Sequence, residues 1–253
     1  MHRMDFPALR THLITEAARL KAAVLAAGPD APVPTCPEWT AADLLDHVAE
    51  TYDHKIQSMR LMAAPGEDFR IAREGDRAAQ FDGALADLLA EFDARGPDSL
   101  SYTWYGPDQT VGFWVRRMAH ETVVHRADAD LAAGRTPGPV DDALALDGID
   151  EMLTIMLAWG SRAYPGDVAD TLAANDGLMV GLNAGTRAWT VRIDAGTATV
   201  SDGLHPDART EIHAGPGDLL LWLWRRLATH DVDIKGDTAP AAALYDLLDA
   251  FAQ

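Results

Sequence analysis

The sequence predicts an α+β protein: a four-helix bundle over residues 1–136, followed by a smaller α+β domain with an antiparallel sheet over 137–253. Two observations carry this. Long helical periodicities separated by short Pro/Gly breaks run as far as Gly134, each helix with one apolar stripe. After "GRTPGP" the pattern changes to short, β-branched segments of period two, which places a linker near Gly134–Val140. A chain of 253 residues can bury a core large enough for either one large domain or two small ones.

The elements follow in order. A first helix fits Phe6–Ala27 and stops at "AAGPDAPVPTCP". The second begins at "TAADLLDHVAETYDHKIQSMRLM", where Thr40 and Asp43 have capping-box spacing with Asp in place of Glu. The third is "RAAQFDGALADLLAEFDAR", closed by Gly96-Pro97. The fourth, "TVGFWVRRMAHETVVHRADADLAAG", starts at Thr and ends at Gly134. Four helices of similar length read as an antiparallel bundle. In the second part a helix, "VDDALALDGIDEMLTIMLAWGSRA", precedes the strand candidates "LMVGLN", "AWTVRID", "TATVSD" and "RTEIHAG". "PGDLLLWLWRRLATHD", "VDIKGD" and a last helix "AAALYDLLDAFA" complete the chain.

Composition excludes several classes. A formal net charge of −18 argues against nucleic acid and against anionic membranes, since both would be repelled over most of the surface. No run approaches the ~18 apolar residues of a membrane span. No apolar h-region follows the N-terminus, so no signal peptide is expected. The single cysteine, Cys36, excludes an intrachain disulfide and fits a reducing, cytoplasmic setting. Beside Pro37 near a helix start it has the place of a reactive thiol, but packing explains it better. Trp39, Trp104, Trp114, Trp222 and Trp224 are expected in the core or as pocket walls.

Chemistry concentrates in "RRMAHETVVHRADAD", Arg116–Asp130. At roughly 100° per residue, Glu121 and His125 are neighbours on one helical face, whereas His120 and His125 diverge by about 140°. The histidines are five apart, so the H-E-x-x-H zinc-protease motif does not apply. Glu121 and His125 share the inward stripe with Trp114, Met118 and Ala132, and a buried carboxylate and imidazole need partners. His47, on the inward face of the second helix, supplies one. His47, Glu121 and His125 would make a two-His, one-carboxylate set suited to Zn²⁺ or a similar divalent ion. Asp46, Asp128 or Arg117 would orient these ligands. A metal-free Glu121–His125 hydrogen bond is the alternative. His54, about 10 Å further along the helix, is not expected to join the set.

These residues also resemble a known family. "PTCPEWTAADLLDHVAE" and "YTWYGPDQTVGFWVRRMAHETVVHRADA" resemble the mycothiol-dependent maleylpyruvate isomerase family, within the wider DinB-like metal-binding bundles. "GDLLLWLWRRLATHDVDIKGD" resembles that family's C-terminal, sterol-carrier-like region. The resemblance implies zinc on His47, Glu121 and His125, with mycothiol as thiol cosubstrate. It implies Arg226 as the binder of an anionic substrate, although Arg225 stands where the family usually has Gly. The implied chemistry is addition of the thiolate to a small electrophile, giving cis–trans isomerisation or S-transfer. An active site near the junction of the two halves would follow from it. The partners implied are that electrophile and a low-molecular-weight thiol, in a monomer or homodimer. The rival reading is a non-catalytic metal-binding or small-molecule-binding protein. Three protein ligands would favour catalysis, and a fourth, such as His54, a closed structural site.

Overall fold

The computed structural model describes residues 4–66, 69 and 71–251. Within these limits the chain forms two compact units, Met4–Gly138 and Pro139 onward. The first three residues and Ala252, part of the expected last helix, lie outside the described residues.

The first unit holds α1 (Phe6–Ala27), α2 (Ala41–Leu61), α3 (Arg77–Arg95) and α4 (Val111–Ala132). Local chemistry sets their ends. Asp5 caps α1 by accepting from the Ala8 amide at 2.8 Å, with Pro7 in the first turn. The capping box of α2 forms as the sequence predicts: the Asp43 amide donates to Thr40 Oγ1 at 3.3 Å and the Thr40 amide to Asp43 Oδ2 at 2.9 Å. Thr110 precedes α4 but its side chain makes no cap hydrogen bond, and its hydroxyl donates to Asp108 Oδ1 at 2.7 Å. Past the end of α4, Gly134 takes φ 70°, a conformation costly for residues with a Cβ.

α4 departs from the expectation of one apolar stripe. From Phe113 to Asp130 every residue except Glu121 is buried, so α4 is the helix the others pack around. α1 packs chiefly on α4, and α2 packs on both α3 and α4. The buried charges are satisfied by pairing. Arg126 Nε donates to Glu16 Oε2 of α1 at 2.8 Å, and its Nη1 donates to Asp130 Oδ2 at 3.1 Å. Tyr52 of α2 and Thr122 of α4 are joined through their hydroxyls at 2.6 Å, which fixes the axial register of the two helices that carry the site.

The second unit begins with α5 (Asp142–Glu151), capped by Asp141, whose Oδ1 accepts from the amides of Ala143 and Leu144. The single helix expected here is divided: Met152–Trp159 widens to a π-helix before α6 (Gly160–Ala163). A further helix, α7 (Pro165–Ala174), starts at a proline and was not separated by periodicity. A five-stranded sheet follows, built from β1 (Met179–Asn183), β2 (Ala188–Asp194), β3 (Thr197–Asp202), β4 (Thr210–His213) and β5 (Asp233–Gly236) in the order β3-β2-β1-β4-β5. Val180, Leu182, Val191, Ile193, Ala198 and Ile212 are among its buried side chains. α8 (Pro216–Leu223) packs on α5, and α9 (Ala239–Leu247) packs on β1 and β4.

The sheet is mixed and not wholly antiparallel, because β4 runs parallel to β1. Period-two alternation marks a strand but not its neighbour's direction. β1–β2 and β2–β3 are hairpin-linked, whereas the link from β3 to β4 passes both β2 and β1. That link is pinned by Thr190, whose Oγ1 donates to the Gly203 carbonyl at 2.8 Å and accepts from the His205 amide at 2.9 Å. At its far end Gly236 has φ 88°, and a Cβ there would lie 1.9 Å from the Arg209 carbonyl oxygen.

Candidate metal centre

α2 and α4 bring His47, Glu121 and His125 together. One ligand atom from each lies within 4.8 Å of the others. Glu121 Oε1 is 3.1 Å from His125 Nε2 and 3.5 Å from His47 Nε2, so one carboxylate oxygen faces both imidazoles. The imidazole rings meet edge to face, with centroids 5.0 Å apart. The cluster opens to one side: the His47 side chain is 37% exposed, that of Glu121 18% and that of His125 10%.

Second-layer contacts orient these groups. His125 Nδ1 lies 2.8 Å from Oδ2 of the fully buried Asp128. Asp128 is held through its other oxygen by Thr35 Oγ1, which donates at 2.5 Å. Arg117 Nη2 donates to Glu121 Oε2 at 2.6 Å, leaving Oε1 directed at the histidines. Of the three orienting residues named from sequence, Asp128 and Arg117 touch the cluster. Asp46 does not, since it accepts from Arg77 Nε at 2.8 Å on the other side of α2. His54 also stays apart, its Nδ1 facing Lys55 Nζ at 3.2 Å. Burial, reinforced by the Lys55 charge, depresses His54 to about 4, so it is a neutral acceptor.

The electrostatics are those of an anion–cation pair. Burial disfavours the charged form of His125, but the carboxylates of Glu121 and Asp128 outweigh it and hold the imidazole up to about 9. Glu121 is likewise opposed by burial, yet His125, His47 and Arg117 keep its carboxyl well below the usual range. With Nδ1–H donated to Asp128, the Nε2 proton is the one a metal would displace. Two imidazoles and a carboxylate suit a borderline divalent ion, and the histidine–carboxylate support on His125 is typical of such sites. The residues present therefore fit a metal.

Two neighbours, Thr35 and Lys55, escaped the sequence reading of roles, whereas Trp39 is the wall expected of it. Trp39 stacks beside His47 with ring centroids 4.5 Å apart and lies 6.1 Å from the His125 ring, so it forms a wall of the cluster. Thr35 locks Asp128 from the same Pro/Cys-rich segment. The C-P-x-W-T run contains Trp39, and Thr35 lies immediately before it. Lys55 is eight residues beyond His47 on α2, and nothing in its spacing singled it out. A cavity of about 500 Å³ lies elsewhere, lined by α2, α3 and the segment between them. Asp46, Asp53, Phe69, Arg73 and Arg77 are among its walls, and no cluster residue is.

Arg226 belongs to the second unit, where its amide donates to the Leu221 carbonyl and its Nη1 to the Trp224 carbonyl, both at 2.7 Å. Arg225 has φ 62°, in the left-handed region. It is held there by donation from Nη1 to the Tyr245 carbonyl at 2.6 Å and by stacking on the Tyr245 ring. A preference for glycine at this position has a direct backbone explanation.

Comparison with known proteins adds the following. Residues 10–130 match the family described as mycothiol maleylpyruvate isomerase N-terminal domain. Among solved structures the chain is similar to a UbiJ-SCP2 ubiquinone synthesis protein, at 15% identity and a TM-score of 0.32, covering 44% of this chain and 93% of that one. No curated protein matches the chain. No helix among the described residues is long and apolar enough to cross a membrane.

Proposed function

We propose, from the match of residues 10–130 to the mycothiol maleylpyruvate isomerase N-terminal domain, that this chain is a thiol-dependent metalloenzyme acting on a small electrophile. The observation that carries the reading is the convergence of His47, Glu121 and His125 within 4.8 Å on a partly open face. Three protein ligands leave room for exogenous ones, and His54, the candidate fourth, stands apart.

In this reading His47, Glu121 and His125 hold zinc or another divalent ion. Such an ion favours the thiolate form of a thiol that binds it, and the thiolate is the nucleophile. The chain's own residues do the rest. Asp128 and Arg117 fix the ligand orientations, and Trp39 shields one side of the imidazoles. Cys36, the chain's only cysteine, is not the nucleophile, so the sulfur comes from outside; mycothiol is the cosubstrate assigned here. Its sulfur adds to an activated double bond, forming a C–S bond and leaving a C–C single bond free to rotate. Expulsion of the same sulfur restores the double bond with inverted geometry and no net redox change. Where the sulfur stays attached, the product is a thioether and the reaction is S-transfer. Arg226 is assigned to a carboxylate of the electrophile on the chemistry of its planar guanidinium.

The test is calorimetric titration of mycothiol into zinc-loaded and metal-free protein, followed by turnover assays with maleylpyruvate and other activated alkenes. Binding is expected only to the loaded form, and turnover only with thiol added. Equal binding to both forms together with no turnover would return the chain to the non-catalytic reading, and turnover without thiol would show that the nucleophile is not the added thiol.

A further inference from the structure

The second unit holds a small polar pocket to which no residue of the metal cluster belongs. Its volume is about 120 Å³, and its walls are Asp150 and Thr154 on the helical side with Trp189, Val200, Ser201 and Asp202 of β2 and β3. The helical wall is where α5 gives way to the π-helix, a widened turn of a kind that recurs at functional sites. Thr154 Oγ1 is committed there, donating to the Asp150 carbonyl at 2.6 Å. On the sheet, Trp189 and Asp202 are cross-strand partners, so their side chains share a face.

Two groups at this pocket are short of acceptors. Trp189 is 1% exposed, and its Nε1–H has no hydrogen-bond partner among the described residues. A buried donor left without an acceptor is costly, and native structures rarely keep one. The Arg187 guanidinium lies over the same ring, 4.7 Å from its centroid. It reaches the two carboxylates of the pocket only through Nη2, at 3.4 Å from Asp202 Oδ1 and 3.5 Å from Asp150 Oδ1. A well-made charge-assisted bond is about 2.7–2.9 Å long. Trp189, Asp150 and Asp202, three walls of the pocket, thus surround one guanidinium whose donors are mostly unmet among the described residues.

Charge decides which acceptor fits. An anion would meet the carboxylates of Asp150 and Asp202. A cation would meet Arg187 and leave the indole N–H unanswered. A hydroxyl group accepts from N–H and donates to a carboxylate, so it answers both kinds of group at once. Size narrows the choice further: a dry cavity of about 150 Å³ admits a six-carbon ring, so 120 Å³ suits about four to six non-hydrogen atoms. We propose that this pocket binds a small neutral polyol, whose oxygens accept from Trp189 Nε1 and Arg187 while its hydroxyl hydrogens donate to Asp202.

The experiment titrates glycerol into the whole isotope-labelled chain and follows the indole N–H signals, of which the seven tryptophans give seven. Trp189→Phe identifies the Trp189 signal by its loss. Glycerol should move that signal downfield and saturate at about 1–100 mM, the range open to a ligand of six non-hydrogen atoms, with or without zinc. Sodium acetate and methylammonium chloride at matched ionic strength should leave it in place. Arg187→Met should weaken glycerol binding about tenfold, as loss of a hydrogen bond to a charged group does. If that variant does not fold, Asp202→Asn, whose side chain is 80% exposed, takes its place with an expected loss of about threefold. No saturable shift, an equal shift with acetate, or unchanged affinity in the folded variant would overturn the proposal. A long-lived water on the indole proton that glycerol fails to displace would also overturn it.

Discussion

The Nδ1 of His125 lies 2.8 Å from Oδ2 of Asp128, three residues further along α4, and Asp128 is fully buried. This pair decides which ring nitrogen faces Glu121 and His47. A carboxylate behind a ligating imidazole raises its basicity and fixes its orientation. Asp128→Asn should therefore lower metal affinity about 10- to 100-fold while the helical circular dichroism stays unchanged. Competition against a chromophoric chelator measures it, and unchanged affinity would remove Asp128 from the site.

Metal uptake should follow the three ligands. Protein purified without a histidine tag should carry close to one divalent ion per chain. His47→Ala and His125→Ala should each lose more than half of it. Elemental analysis decides, and full retention in either variant would refute that ligand.

The pH dependence has a definite sign. In the metal-free protein His125 is raised from 6.5 to about 9. Its ion pairing with Glu121 and Asp128 then contributes stability fully present below pH 6.5 and lost as pH rises through about 9. The stability gap between wild type and His125→Gln, both with chelator, should shrink over that window in urea titrations. Metal binding behaves oppositely. It displaces one proton from His125, so apparent affinity should climb by up to about tenfold per pH unit until pH nears 9. A flat profile would show that His125 is not the group displaced.

Cys36→Ala should keep most of the turnover measured with added thiol, since the assigned nucleophile is external. Loss of more than about tenfold, with folding intact by near-ultraviolet circular dichroism, would implicate the side chain directly.

A separate test concerns the β2–β3 hairpin. Its two turn residues, Ala195 and Gly196, have φ 49° and 72°, the signature of a turn that favours Asn-Gly. Ala195→Asn should stabilise the second unit by about 0.5–1 kcal/mol, read as a raised urea midpoint. A lowered midpoint would show that the Ala195 amide, which donates to Asp176 Oδ1 at 2.8 Å, does not tolerate the change.

Most of the first unit was legible because its signals are local. Thr40 and Asp43 announce the start of α2, and the four-residue spacing of Glu121 and His125 places both on one face. What failed to show had causes in packing. The surroundings of α4 come from three other helices, so the pairing of Arg126 with Glu16 of α1 could not be read from local spacing. Thr35 lies before α2 in a segment without periodicity, and its contact with Asp128 spans 93 residues of sequence. In the second unit β1 to β4 were marked by alternation, but β5 was not, and the direction of β4 depends on how the chain crosses the sheet.

That crossing also imposes an order of assembly. Val180 pairs with Val191 across a short hairpin, whereas Gly181 meets Glu211 only after β2, β3 and the link over Thr190 have been laid down. Closing the longer loop costs more chain entropy and is rewarded only once β1 is in place. The β1–β2–β3 meander is thus the template on which β4 and β5 dock. The half of the sheet carrying β4 and β5 should open first under mild denaturant, and its amides should exchange with solvent ahead of those of β2.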